Sequence, residues 1–349
     1  MSKLGGQLHD ASERAFFICD VFSHRPLGGN SVTVVLSDVP MNEATMGAVT
    51  RELRQFETIF LTPTRCITTY DARVFDMNGE LAFAGHPVLG AAAVLHELHG
   101  TARTHDWVLR LRERVVPVGT AREEGHKTVH ARMDQGAPVF GAVASEAQAS
   151  RAALAFGLNG GDLASGLPVE VVSTGLRYLI VPVTSGVGRA HVVHPTLQQL
   201  LDELDAQFAY LLNVAERTGR HWENDGSVED IATGSAAGAA AAYLLRHGLV
   251  RPGERVTLRQ GDSLGRPSTM NVELEGTPGE IRNVELAGPV TIVGRGILNL
   301  DPNPAIAAAG PSETRPPRTQ HALVSGTATS GTCSPSSPAA STSASTRSR

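Results

Sequence analysis

The sequence predicts an α+β protein of two similar domains, each a curled, mostly antiparallel sheet or barrel wrapped around one buried helix. The first observation is the run Phe83-Ala84-Gly85-His86-Pro87-Val88-Leu89-Gly90-Ala91-Ala92-Ala93-Val94-Leu95, a polar turn leading into a helix that is apolar on every side. The second is its repetition: Ala232-Thr233-Gly234-Ser235-Ala236-Ala237-Gly238-Ala239-Ala240-Ala241-Ala242-Tyr243-Leu244 has the same grammar, with Gly85 overlying Gly234 and His86 overlying Ser235. The third is what lies between them, namely short β-branched and aromatic runs separated by Gly, Pro and Asn turns.

The elements follow in order. Residues 15–22 and 31–36 read as strands around the turn Arg25-Pro26-Leu27-Gly28-Gly29-Asn30. Asn30 there is either a left-handed turn residue or an amide aimed at a ligand. From Asn42 to Gln55, Met46, Val49 and Leu53 fall at helical spacing and Asn42 is the N-cap. The strand-like run Phe56 to Leu61 follows, with Glu57 either turned to water or partly desolvated and raised in pKa. After a variable segment, Arg73 to Asp76 reads as a strand leading to the first Gly-His-Pro helix, where Pro87 suits the first turn. Strands are expected at 107–112, 114–118 and 127–133, then a crossover at 133–138 and a helix at 146–156. The second half repeats the plan, with strands at 168–172 and 177–183 flanking Ser173-Thr174-Gly175, a helix at 196–205 and a strand at 207–214. A polar stretch then runs from Glu216 to Glu229, and Asp230 sits one turn before the second helix. Four strands close the fold, at 255–260, 268–274, 281–286 and 290–293.

Composition narrows the function. A net charge of −5 with scattered Lys and Arg leaves no basic stripe for nucleic acid. No apolar stretch approaches a membrane span and the N-terminus lacks a secretory pattern, which together predict a cytoplasmic protein. Cys19, Cys66 and Cys333 have unrelated spacings, so neither a disulfide framework nor a zinc site is expected. His96 with His99 and His191 with His194 have ligand spacing, but solvated helix or loop histidines are the ordinary explanation, so no metal is predicted. No Gly-x-Gly-x-x-Gly follows a strand, and no dinucleotide is expected. Beyond Pro302 the Ala, Ser, Thr and Pro-rich tail, 302–349, is predicted to be disordered.

Helix starts carry unmatched N–H groups and a partial positive charge, which makes each copy of the repeated helix a candidate site for a carboxylate or phosphate. Taken together, Asp20-Val21-Phe22 with Gly29-Asn30, Glu57-Thr58-Ile59-Phe60-Leu61, Phe83-Ala84-Gly85-His86-Pro87 and Ser173-Thr174-Gly175-Leu176-Arg177 resemble the PhzF family of phenazine-biosynthesis isomerases, which is built on the diaminopimelate epimerase fold. Glu229-Asp230-Ile231-Ala232-Thr233-Gly234-Ser235, Arg259-Gln260-Gly261 and Val293-Gly294-Arg295-Gly296 complete the ordered set. The resemblance implies domains at 14–134 with 288–300 and at 135–287, substrate between them, and a homodimer. It also implies a cofactor-free shift of a proton within a small unsaturated amino or hydroxy acid, in antibiotic-type biosynthesis.

By the same resemblance Glu57 matches the catalytic acid/base, with His86 and Asp230 beside it. The substrate carboxylate would be held by the N–H groups at Gly85, Gly234 and Ser235, with Asn30, Ser173, Thr174 and Gly175 lining the pocket. The sequence departs from the family pattern at Ile231 and over His221-Trp222-Glu223-Asn224. Epimerase relatives place one thiol at each helix start, where this chain has Ala84 and Thr233, so a two-thiol racemase is disfavoured. Epimerisation by opposed bases and a non-catalytic carboxylate receptor are the alternatives.

Overall fold

In a computed structural model of the chain, residues 12–122, 125, 127–193 and 196–300 are described. The predicted tail with Cys333, and His194, lie outside these residues. Among the described residues there are five α-helices: α1 Glu43–Leu53, α2 Gly85–His99, α3 Glu146–Ala155, α4 Thr196–Glu203 and α5 Gly234–Arg246. The two repeated helices are α2 and α5. Both are buried along nearly their whole length, as a helix without a polar face must be.

The strands around α2 pair in a closed circuit. Glu13–Val21 pairs antiparallel with Asn30–Leu36, which runs parallel to Glu57–Pro63. The circuit continues through Thr69–Asp76, Thr104–Arg110, Val115–Ala121 and Val129–Asp134 to Glu280–Asn299, which pairs back onto Glu13–Val21. Alternation sets which side faces the helix. Val116 and Val118 are buried while their neighbours Val115 and Pro117 are exposed, and in Val129–Asp134 every second residue points inward.

The strands around α5 run Val139–Val143, Glu170–Ser173, Arg177–Val183, Phe208–Asn213, Thr218–Trp222, Val256–Gln260 and Ser268–Thr277, ending on the same Glu280–Asn299. One apolar core contains residues of both central helices. Smaller clusters lie under α1 and between α3, α4 and the sheet they cover.

Asn42 caps α1 as predicted, its side chain accepting the Thr45 N–H at 2.8 Å. Three expectations need correction. The last two predicted strands are one, Glu280–Asn299, because Gly288 and Pro289 continue the pairing opposite Ala131 and His130 instead of turning. The crossover expected at 133–138 leads into an additional strand, Val139–Val143. The polar stretch from Glu216 contains the strand Thr218–Trp222, whose polar residues pair outward while His221 and Trp222 are buried.

The sheet approaches α2 closely at Gly90, where a Cβ would lie 2.6 Å from Val32 Cγ1. Any larger side chain must push that strand away. Gly90→Val is expected to destabilise the protein by about 2 kcal/mol or more through overpacking. Denaturant unfolding checks this, and an unchanged midpoint would contradict the packing described.

Candidate active site

The two helix starts meet at one place. A Cβ on Gly85 would lie 4.0 Å from the backbone nitrogen of Ser235 and 3.1 Å from Met133 Cε, so a side chain there would intrude between the tips. Neither helix has a side-chain cap: Ala84 has none to offer, and Thr233 turns its hydroxyl to Asp230 Oδ2 at 2.7 Å. The first-turn N–H groups and the positive ends of both dipoles are thereby directed at one small volume.

Polar side chains fasten the start of α5. Gln135 donates from Nε2 to the Gly234 carbonyl at 3.1 Å, and its Oε1 accepts from the Thr174 hydroxyl at 3.2 Å. The same hydroxyl lies 3.3 Å from the Ser235 carbonyl, and the Tyr178 hydroxyl is 2.7 Å from Ser235 Oγ. Ser173 uses its hydroxyl within its own loop, accepting the Gly175 N–H at 3.1 Å, and Gly175 takes a φ of +134° that favours glycine.

Glu57 opens its strand beside α2 and is buried, not turned to water; only 9% of it is exposed. Its Oε2 lies 3.4 Å from His86 Nδ1. Among the described residues neither Glu57 Oε2 nor His86 Nε2 has a hydrogen-bond partner, although both are buried. Buried polar atoms of this kind are rare and require an account. Burial, then the charges of Asp230, Asp76 and Glu223, raises the Glu57 carboxyl well above its ordinary value. Burial lowers His86 to about 4, against the Asp230 charge and a hydrogen bond to the Ser31 backbone. Both shifts favour the uncharged forms.

Asp230 is held from two sides. Its Oδ1 accepts from Asn30 Nδ2 at 2.9 Å, and Asn30 also donates to the Ala232 carbonyl at 2.9 Å. Asn30 is therefore not the left-handed residue of the turn: its backbone begins a strand, and its amide nitrogen donates to Asp230 and Ala232. The left-handed residues of that turn are Leu27, at φ +66°, and Gly29, at φ +64°. Arg266 secures the turn by donating to the carbonyls of Gly28 and Gly29 while pairing with Asp20 at 2.7 Å.

Glu57, His86, Gly85, Gly234, Ser235, Asp230, Asn30 and Thr174 are thus linked through direct contacts, while Ser173 and Gly175 shape the adjoining loop. Sequence reasoning missed Tyr178, Gln135 and Thr233. Tyr178 sits in an apolar strand and reads as core, and Gln135 lay in a segment taken as a crossover. Within the departure at His221 to Asn224, His221 faces Asp230 across paired strands and places Nδ1 2.9 Å from the Ala209 carbonyl, while the Glu223 charge acts on Glu57. One histidine of each pair has an ordinary partner, His96 with Thr120 Oγ1 at 2.9 Å and His191 with the Arg189 carbonyl at 3.1 Å.

Every residue of this site falls within 19–296, the part of the chain that matches the PhzC-PhzF family, described as phenazine biosynthesis-like protein. The chain belongs to the PhzF family. It is 31% identical over 291 residues to trans-2,3-dihydro-3-hydroxyanthranilate isomerase of Pseudomonas chlororaphis, covering 82% of this chain and 99% of that one. Among solved structures it resembles a "Predicted Epimerase" from Pseudomonas aeruginosa at 46% identity and a TM-score of 0.75, covering 81% and 98% of the two chains. A hydroxyproline epimerase from Agrobacterium vitis, 16% identical with a TM-score of 0.50 over 83% and 93% of the chains, shares the fold. This PhzF-family chain is accordingly an isomerase with an epimerase-like α+β fold, and among its described residues no helix is long and apolar enough to cross a membrane.

The raised Glu57 carboxyl has a stability consequence with a definite sign. Above pH 4.5 the unfolded chain releases this proton while the folded chain keeps it, so Glu57 costs stability progressively as pH rises toward its folded pKa. Glu57→Gln lacks that cost. The variant should gain in melting temperature over the parent as pH is raised from about 4.5 to 8, and a difference flat across that range would show that the carboxyl is not desolvated.

Proposed function

We propose that this PhzF-family isomerase moves a proton between two carbons of a small unsaturated amino or hydroxy acid, with Glu57 taking it and giving it back. The observation that carries the reading is the pair of buried, unpartnered atoms, Glu57 Oε2 and His86 Nε2, beside two helix starts that lack caps. The substrate carboxylate accepts from the N–H groups of Gly85, Gly234 and Ser235. Glu57 in its ionised form removes an allylic proton from one carbon. The electron pair spreads through the conjugated system toward the carboxylate, where preoriented N–H donors stabilise the charge. The protonated Glu57 then delivers the proton to the distal carbon on the same face.

The raised carboxyl pKa suits this role, because a group that must both accept and donate works best with a pKa near the operating pH. Neutral His86 holds Glu57 without converting it into a fixed ion pair. Asp230, kept in place by Asn30 and Thr233, offers a negative charge to an amino or hydroxyl group of the substrate. The same reading divides the chain into domains at 14–134 with 288–300 and at 135–287, and has it acting as a cytoplasmic homodimer in small-molecule biosynthesis.

The relative's substrate, trans-2,3-dihydro-3-hydroxyanthranilate, is the first compound to test. In deuterated water the product should carry deuterium at the newly protonated carbon, and Glu57→Gln should lower kcat by roughly 10²- to 10⁴-fold. Unchanged turnover in that variant removes Glu57 from the mechanism. Because the base must be ionised, kcat/KM should fall as pH drops, with an apparent pKa above that of an ordinary carboxylate. A limb at the ordinary value would contradict the buried geometry.

A second reading, epimerisation at a Cα–H, takes its support from the 46% identical structure described as an epimerase. It would use Glu57 and His86 or Asp230 as opposed groups, since Ala84 and Thr233 supply no thiols. Chiral analysis of product separates the two readings, because a proton shift alters connectivity where epimerisation inverts a centre.

A further inference from the structure

Arg114 stands in the tight turn between the strands Thr104–Arg110 and Val115–Ala121, closed by the Leu111 N–H on the Arg114 carbonyl at 2.9 Å. Its guanidinium stacks on the Phe83 ring, 4.4 Å from the centroid, and its Nη1 is 3.9 Å from where a Cβ on Gly175 would stand. Phe83 lies two residues before Gly85, so at most ~7 Å of chain separates it from the start of α2. Gly175 follows Thr174, whose hydroxyl reaches the Ser235 carbonyl at the start of α5. Arg114 therefore stands at the rim of the volume where the two helices meet, touching the approach to each.

Most arginines on the described surface are paired, as Arg73, Arg220 and Arg255 are with Glu80, Glu229 and Glu273. Arg114 is half-buried and, among the described residues, makes neither an ion pair nor a side-chain hydrogen bond. Burial draws its pKa below the usual value, with the charge of Asp134 acting in opposition from beyond ion-pair distance. The charges that act on Glu57 in the pocket are those of Asp230, Asp76 and Glu223. The stacked guanidinium keeps all its donors for a guest, and its planar fork matches a carboxylate in bidentate fashion.

We propose that Arg114 is a second anion-binding point of this site and that the substrate is a small unsaturated acid bearing a second anionic group, a dicarboxylate being the simplest. The inference rests on the reading above, in which the first carboxylate sits at the helix starts. Arg114 then decides which acids are accepted. The stacking on Phe83 fixes the plane of the guanidinium, and the glycine at 175 leaves room for the guest's second group beside it.

Calorimetry with benzoate and isophthalate, which differ by one carboxylate, tests this with the intact chain. The parent should bind isophthalate about tenfold or more tightly than benzoate, the gain expected of a charge-assisted bond. Arg114→Gln should abolish that preference while leaving benzoate affinity unchanged. Arg114→Lys, which keeps the charge but loses the fork, should retain only part of the preference and serves if the glutamine variant does not fold. No preference in the parent, or a preference that survives unreduced in either variant, overturns the proposal while leaving the carboxylate site at the helix starts in place. Failure of benzoate itself to bind the parent would refute that site and the Arg114 proposal with it.

Discussion

Two helices that point their positive ends at each other are an unfavourable arrangement, and the fold depends on holding them there. Each tip carries the equivalent of about half an elementary charge. With Gly85 and Ser235 this close, neither helix start is closed by a side-chain cap of its own. A bound anion removes the conflict. The sheets wrapped around α2 and α5, the shared core and the Gln135 and Thr174 contacts maintain a geometry that each helix alone would relax away from.

The same economy governs the acid/base pair. Burial favours the uncharged forms of Glu57 and His86, so the pair is stored without a net charge next to two positive tips and a fixed Asp230. An entering acid brings its own negative charge to the tips and leaves Glu57 as the group whose protonation state can change. The electrostatic roles are divided among separate groups: tips for the anion, Asp230 for a donor on the guest, Glu57 for the moving proton.

Much of this was legible in the chain. The two Gly/Ala runs gave the central helices because a helix apolar on all sides has nowhere to lie but inside, and the Asn42 cap followed from a local hydrogen bond. The site residues carried by the family pattern were brought together, with Asn30 turned to Asp230. What escaped was set by distant partners. Tyr178 looks like any buried strand tyrosine until Ser235 is placed opposite its hydroxyl, and the strand Thr218–Trp222 is too polar to announce itself. Gly288 and Pro289 carry a turn signature that pairing with Ala131 and His130 overrides. Arg114 gave no signal at all, because an arginine in a hairpin turn is ordinary and only its stacking on Phe83, with no ion pair among the described residues, is informative.

The register of the closing strand carries an implication for biogenesis. Glu13 is matched to Asn299, so among the described residues the first strand must wait for the last to be synthesised before its layer can be sealed. Pairing at such separation is slow, because the entropy of closing the long intervening loop is lost before any contact repays it. Until that pairing forms, the strand Glu13–Val21 presents an unpaired edge, the kind of surface on which strands of other chains can add.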